Sequence, residues 1–479
     1  MKSLLTLLLI HSTIFFSAAQ QLKISGNGRY IESQDGKPFL WIGDTAWELF
    51  HKLSREEASE YLETRARQGF TVIQAVVLAE NDGLRIPNAY GDLPLIGLSP
   101  EKPNERYFMH VDFIVNKAAS LGLYIAMLPT WADKVPSNRP EPGPVVFNRH
   151  NASSFGEFLG NRYKKQPVIW ILGGDRDVQD QEVFEIWKAM ALGLKKGDGG
   201  RHLITYHPAG ESSSSYWFHN EDWLDFNMYQ SGHAHHYMPV YQFAEEDWLK
   251  KPAKPFIDGE PAYEDIPVRF WVYMDWNEPA KKKKILDKQG LVKDKSYFPE
   301  GFFTDYDVRV HAYWNFLSGA CGYTYGNNAV WQMFKKNNAF SIPALTDWKE
   351  ALTRPGAEDM QYLKKLFELR PFSKLVPDQS IIYGKNPRDS THIRSAKAED
   401  GSFFIVYLPI GGPVKINMKK ISGRLITAWW YNPRNGKAEK IIKTTKEDIQ
   451  EFISPGAGKG NDWVLVLDDR NARLKTLEM

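Results

Sequence analysis

Two carboxylates stand where a hydrolytic pair is needed. Asp175 ends the run Val168-Ile169-Trp170-Ile171-Leu172-Gly173-Gly174, and Glu260 ends Pro255-Phe256-Ile257-Asp258-Gly259. The first run is apolar enough to be a buried parallel strand, and the flanking glycines let backbone approach a ligand closely. Cleavage of a glycosidic bond requires one carboxylic acid to protonate the leaving oxygen. It also requires a second carboxylate to attack or to activate water. Taken singly, Asp175 reads equally as a helix N-cap and Glu260 as the partner of an arginine. Two acids at strand ends on one face favour catalysis. Asp177 and Asp258 are rivals: the first as a cap or sugar ligand, the second as a supporting acid on the same side as Glu260 if its strand continues. Glu264 lies further into the loop.

Other chemistries are less well supplied. His233, His235 and His236 lack the i, i+4 spacing and the intervening Glu of a zinc motif. They read as a polar loop over the cleft, and no metal or other cofactor is expected. A metal-dependent hydrolase stays open only if that segment meets an Asp or Glu. No G-x-S-x-G elbow is present. Cys321 is the only cysteine; it reads as a small buried hydrophobe and leaves no internal disulfide. Sixty basic against 58 acidic residues give a net charge of +2, which supplies no field for a polyanion, so no nucleic-acid partner is expected. Aromatics reach 14%, with 16 Trp and 22 Tyr among 479 residues; such a surplus serves a core or the apolar faces of sugars.

Elements that would position these groups follow from the apolar periodicity. Strands are expected at Phe39–Ile42, Thr71–Leu78, Tyr124–Leu128, Val168–Leu172, Leu203–Tyr206, Phe226–Tyr229, Pro255–Ile257 and Tyr323–Tyr325. Helices are expected at Ser54–Gln68, Asn104–Leu121, Phe155–Tyr163, Glu182–Leu194, Val240–Leu249, Tyr306–Leu317 and Gly356–Leu369. Ser54 and Glu57 have the spacing of a capping box. The alternation predicts a (β/α)8 barrel; a doubly wound sheet would carry a Gly-rich phosphate turn, and none is present. The ends of barrel strands converge on one face. Asp44, Trp47, Trp131, His207, Tyr229, Asn327 and Trp331 are therefore expected to line a sugar cleft, polar groups beside aromatic platforms. His207 and Tyr229, after strands five and six, are expected to hold the charge and geometry of Glu260.

At the start, Met1-Lys2-Ser3, the apolar run Leu4 to Ile10 and Ser17-Ala18-Ala19 read as a signal peptide, residues 1–19, cut before Gln20. His11, Ser12 and Thr13 interrupt that run, which is short of the about 20 residues a membrane span needs, and no cysteine follows for a lipid. A secreted or periplasmic protein without a membrane anchor is expected. The barrel should occupy 20–370. Residues 371–479 read as a β-sandwich, with strands at Ser380–Tyr383, Ser402–Leu408, Leu425–Tyr431 and Trp463–Leu467 and a hairpin turn at Asn435-Gly436. No linker separates the two, so direct packing is expected. Lys281–Lys284 reads as a solvated loop.

The block Phe39-Leu40-Trp41-Ile42-Gly43-Asp44-Thr45-Ala46-Trp47 resembles the first strand and loop of the DUF4038 barrel. Gly69-Phe70-Thr71-Val72-Ile73-Gln74, Trp170-Ile171-Leu172-Gly173-Gly174-Asp175 and Asp258-Gly259-Glu260-Pro261 resemble its later strands. The tail, Asn461-Asp462-Trp463-Val464-Leu465-Val466-Leu467, resembles the small β-domain called "putative collagen-binding" that accompanies it. The pairing is similar to glycoside hydrolase family 140, whose known activity is release of apiose-linked side chains from the pectin rhamnogalacturonan-II. That resemblance implies an exported bacterial glycan degrader acting on an oligo- or polysaccharide. It further implies Asp175 as acid/base, Glu260 as nucleophile and a retaining mechanism. A cellulase-like endoglucanase and a non-catalytic glycan-binding barrel are the alternatives, and oligomeric state stays unassigned. Many retaining barrel glycosidases carry Asn-Glu after strand four, where this chain has Gly174-Asp175.

Overall fold

The computed structural model describes residues 21–138, 143–274, 284–445 and 447–477. The signal-peptide segment and Lys281–Lys283 lie outside them. Eight parallel strands form the barrel: β1 Trp41–Thr45, β2 Val72–Leu78, β3 Tyr124–Thr130, β4 Val168–Gly173, β5 Ile204–His207, β6 Asn227–Gln230, β7 Phe256–Asp258 and β8 Gly322–Tyr325. Their order, β5-β4-β3-β2-β1-β8-β7-β6, is that of a (β/α)8 barrel, with Ser212–Ser213 added antiparallel to β6. Between β5 and β6 no ladder forms. There Asp225 closes the seam, its N–H donating to the Ile204 carbonyl at 2.9 Å and its carboxylate accepting from the Ile204 N–H at 2.8 Å.

Helices α1 Arg55–Arg67, α2 Glu105–Ser120, α3 Arg149–Tyr163, α4 Gln181–Asp198, α5 Val240–Leu249, α6 Asp305–Phe316 and α7 Pro355–Leu369 wrap the outside. The β5–β6 connection holds only the short helix Ser215–Phe218. The capping box of Ser54 and Glu57 is formed. Helix α3 begins six residues before the expected Phe155. Its first turn has no apolar periodicity and is set by Asn148, whose side chain accepts from the Asn151 N–H at 3.1 Å.

Strand alternation sorts the barrel side chains. Trp41, Val72, Val76, Ala126, Leu128, Ile169, Ile171, Met228 and Ile257 fill the interior. Ile73, Ala75, Val77, Ile125, Met127, Trp170 and Leu172 face the helices. The hairpin Leu22–Ile24 and Ile31–Ser33 adds Leu22 and Ile31 to the interior cluster. Cys321 belongs to the same cluster; burial pushes its thiol up to about 12, which suits packing and not nucleophilic attack.

Beyond α7 the chain builds a β-sandwich. The strands are β9 Leu375–Pro377, β10 Arg394–Ala398, β11 Phe403–Leu408, β12 Gly411–Asn417, β13 Leu425–Tyr431, β14 Ala438–Thr445, β15 Ile449–Ala457 and β16 Trp463–Asp469. Six of them form one antiparallel sheet, β9-β10-β11-β16-β13-β14, and β12 pairs with β15. Phe404, Val406, Leu465, Leu467 and Trp430 pack toward the β12–β15 pair. Phe403, Ile405, Tyr407, Val464, Val466 and Tyr431 pack toward α6 and α7. Burial on both faces explains why β11 and β16 are continuous apolar runs. The expected strand at Ser380–Tyr383 is instead a 3-10 turn over Gln379–Ile381, because Asp378 accepts from the Ser380 N–H at 3.0 Å and draws the chain into a cap.

The two parts pack directly. Tyr313 of α6 stacks on Tyr407 of β11, with centroids 4.7 Å apart. Arg309, 2% exposed, reaches Asp462 with two guanidinium nitrogens at 3.0 and 3.1 Å and Asp359 at 2.6 Å. Arg309→Met should lower unfolding free energy by about 3–5 kcal/mol, because it strands two buried carboxylates without their partner. Urea unfolding followed by tryptophan fluorescence measures this; a change below about 1 kcal/mol would mean that water replaces the guanidinium at no cost.

Candidate active site

The strand ends open on a cavity of about 560 Å³ whose walls include Trp47, Trp131, Asp175, Gln230, His233, Glu260, Tyr263, Trp271 and Trp331. Asp175 is turned into it by local backbone. Gly173, Gly174 and Asp175 have φ of 83°, 121° and 51° in succession. A Cβ at Gly174 would lie 2.6 Å from the Trp131 ring, so only glycine fits there. Asp tolerates the left-handed conformation that follows.

Glu260 is aimed by a break in its strand. Ile257 points into the barrel, so Phe256 and Asp258 point outward. The strand stops at Asp258, and the Gly259 carbonyl is caught by Gln74 Nε2 reaching across from β2 at 2.9 Å. Glu260 thereby turns into the cleft, while Asp258 stays outside it, bonded to Ser231 Oγ at 2.6 Å. Burial pushes the Asp258 carboxyl up to about 7, against the bonds from Ser231 and Asn315. A bond to the Glu260 main chain lets it brace Glu260 from outside the cleft. The two side chains do not share one side, because the alternation ends one residue too early.

One histidine joins the two carboxylates. The Asp175 N–H donates to His207 Nδ1 at 3.2 Å, which leaves the ring proton on Nε2. That nitrogen faces Glu260 Oε2 at 3.1 Å. The contact is bent from hydrogen-bond linearity, so Oε2 keeps free lone pairs. His233 Nε2 lies 3.2 Å from Glu260 Oε1. Burial alone would raise the Glu260 carboxyl; the contacts of His207 and His233 outweigh it and hold the group well below the usual carboxylate range. Asp175 moves the other way. Burial and then the Glu260 charge raise it, against Arg176, His207 and a 3.1 Å bond from Gln230 Nε2. Its side chain is 41% open to the cleft, so a seated sugar would exclude water and strengthen the elevation. One acid is displaced toward its ionised form and the other toward its protonated form, the direction of the division of labour that glycosidic cleavage demands.

Trp47, Trp131 and His207 pack as a floor, the Trp47 and Trp131 centroids 5.3 Å apart and Trp47 edge-on to His207 at 5.5 Å. Trp331, its indole donating to Asn328 at 3.2 Å, continues the wall. Three expected lining residues lie elsewhere. Asp44 is on the outer side of β1, fully buried with Arg65 Nε at 2.6 Å and the Tyr61 hydroxyl at 2.5 Å. Tyr229 points out of β6, stacks on Phe243 at 5.5 Å and donates to Asn315, so it gives Glu260 nothing. Asn327 caps the helix after β8, its side chain accepting from the Ala329 N–H at 2.9 Å. Among the rivals, Asp177 braces the Ala209 N–H at 3.2 Å. Glu264 takes the Tyr325 hydroxyl at 2.6 Å and the Gly356 N–H at 3.2 Å. The histidines do not converge: His236 bonds the Glu300 carbonyl at 2.8 Å and faces Asp307. Among the described residues no three His, Cys, Asp or Glu side chains are arranged to hold a metal ion.

Gln230 ends β6, whereas Tyr263 and Trp271 lie in the segment after β7 and carry no distinctive sequence signal. Trp271 sits at the rim, 48% exposed in the short helix Phe270–Tyr273. An exposed indole beside a polar cleft has the shape and polarity to stack on a sugar face. Trp271→Ala should raise KM about three- to tenfold with kcat unchanged, since stacking of this strength acts equally on ground and transition states. A fall in kcat alone would remove Trp271 from substrate binding.

Residues 25–374 match the family described as "Apiosidase-like, catalytic domain", and residues 376–468 match "Putative collagen-binding domain of a collagenase". A solved structure described as a glycoside hydrolase is 34% identical with a TM-score of 0.81, and the match covers 96% of this chain and 98% of that one. A glycoside hydrolase family 5 structure from Bacteroides vulgatus is 33% identical at TM-score 0.81, covering 96% and 94%. The family 5 mannosidase of Rhizomucor miehei, 14% identical at TM-score 0.50 and covering 74% and 99%, shares the fold. No curated protein matches the chain. With the matched model spanning most of the residues and the acid pair in the barrel mouth, this chain belongs to the apiosidase-like family of glycoside hydrolases.

Proposed function

We propose that the enzyme releases apiose-linked units from pectic side chains of the rhamnogalacturonan-II type, with retention of configuration. The observation that carries the chemistry is the Asp175–His207–Glu260 connection with its opposed displacements of the two acids. Glu260 Oε2 attacks the anomeric carbon, and the bond to the leaving oxygen breaks as Asp175 gives that oxygen its proton. Asp175, now a carboxylate, takes a proton from water, whose oxygen attacks the same carbon and frees Glu260. His207 and His233 stabilise Glu260 as a carboxylate before attack and after release. The family match supports apiose as the sugar.

A product screen tests the substrate. The purified enzyme is offered rhamnogalacturonan-II oligosaccharides, xyloglucan, β-glucan and mannan, with Asp175→Asn as the control. Apiose-terminated fragments are expected from the pectic substrate alone; glucan oligosaccharides would favour the cellulase-like reading. An export leader at 1–19 suits an enzyme whose substrate is a wall polymer, and N-terminal sequencing of the exported protein should begin at Gln20.

A further inference from the structure

Beside the catalytic cleft lies a second cavity, of about 410 Å³, and Glu80 lines both. Its polar side is built of buried groups with unused valences. Glu48, 1% exposed, has no partner for Oε1; His51, 5% exposed, has none for Nδ1; and Oε1 of Glu80 is likewise unpaired. Lys52, which donates to the Gln332 carbonyl at 3.0 Å, brings an ammonium to the same wall. The lining also includes the apolar Ile86, Pro87 and Phe340. Asn81 Nδ2 bonds Ser341 Oγ at 3.0 Å and ties the β2 and β8 loops together at this place.

Buried acceptors left unpaired cost folding energy unless something else satisfies them. Carboxyl acceptors lining a cavity together with apolar side chains are complementary to a sugar, whose edges donate hydroxyls and whose face is hydrocarbon. We propose that this cavity is a second glycosyl subsite, taking a neutral sugar unit of the substrate through paired hydroxyls accepted by Glu48 and Glu80. The inference rests on glycoside cleavage in the adjoining cleft and names what lies beyond the cleaved residue. The neutral class follows from charge. Burial and the Glu48, Asp133 and Glu260 carboxylates together drive the Glu80 carboxyl well up, and Lys52 offsets only part of this. A uronate there would add another negative charge to a wall that already rejects one. Burial also lowers the His51 imidazole, so Lys52 is the cation that this wall offers.

The test fills the cavity without touching the catalytic pair. Ala89 is exposed at its edge, so Ala89→Trp obstructs it from the solvent side. In a Glu260→Gln background, calorimetric titration compares a neutral oligosaccharide from rhamnogalacturonan-II with an oligogalacturonide of the same length. Ala89→Trp should weaken the neutral ligand about tenfold or more, and Glu48→Gln should do the same through loss of a charge-assisted hydrogen bond. On a 4-nitrophenyl apioside, too short to reach the cavity, Ala89→Trp should leave kcat/KM within about twofold of the unsubstituted enzyme. Equal affinity with and without the tryptophan, tighter binding of the oligogalacturonide, or no binding of either would overturn the subsite. Inactivity on every apioside combined with the expected titrations would instead overturn the apiosidase reading and leave the subsite standing.

Discussion

Glu260→Gln should reduce kcat at least about 10⁴-fold, the scale on which loss of a nucleophile is felt. The amide is nearly isosteric and keeps an oxygen for His233 or His207, so the cleft retains its shape and KM should stay within about threefold. What is lost is the negative charge that those two imidazoles hold in place and that must bond to the anomeric carbon. The histidines keep the carboxyl ionised well below neutral pH, so across the ordinary range the enzyme always has its nucleophile. Turnover within tenfold of the original would show that Glu260 is not the reacting group. Circular dichroism of the variant separates that outcome from misfolding.

Asp175→Ala should cost about 10²–10⁴-fold on the natural glycan, the usual worth of general acid catalysis. The same variant should lose far less on a 4-nitrophenyl glycoside, whose leaving group departs without a proton. The pH profile supplies the sign. Asp175 acts protonated, and its carboxyl is raised by burial and by Glu260. Activity should therefore fall as pH rises through that elevated value. Glu260 acts ionised and is depressed, so the acid limb lies at low pH, where activity falls as pH drops through it. In Asp175→Ala the alkaline limb should vanish with the 4-nitrophenyl substrate while the acid limb stays. An unchanged alkaline limb would assign it to another group.

The parts of the fold that repeat were legible in the sequence, because a buried parallel strand is an apolar run and a surface helix a period of 3.6 residues. All eight barrel strands and the helix starting at Val240 follow from that rule. The sandwich was legible only where both faces are buried, as at β11 and β16. Strands β12, β14 and β15 carry polar or exposed residues along one face and give a weaker signal. Within the site the same distinction operates. Asp175, Trp47 and Trp131 follow their strands and reach the mouth, and His207 ends β5 there. Asp44 and Tyr229 lie inside strands β1 and β6, where the parity of the alternation sends them to the helices. Parity is readable in principle: Trp41 and Met228 point inward, so Asp44 and Tyr229 differ from them by an odd number of places. His233 was recognisable as polar and aromatic, but its hydrogen bond to Glu260 depends on how the β6 loop folds back, with the Gly232 N–H bonded to the Glu260 carbonyl at 3.0 Å. No local pattern encodes that return.

The central claim is that Glu260 attacks the anomeric carbon directly, with Asp175 as acid and then base. Direct attack suits carboxyl groups about 5–5.5 Å apart, and activation of an intervening water suits about 6.5–9.5 Å. The two routes leave opposite anomers. Proton NMR of the first sugar released, recorded within minutes and before mutarotation scrambles it, reads the difference. The account predicts the anomer of the substrate. Its inverse as first product would contradict the account and make Glu260 the base that activates water.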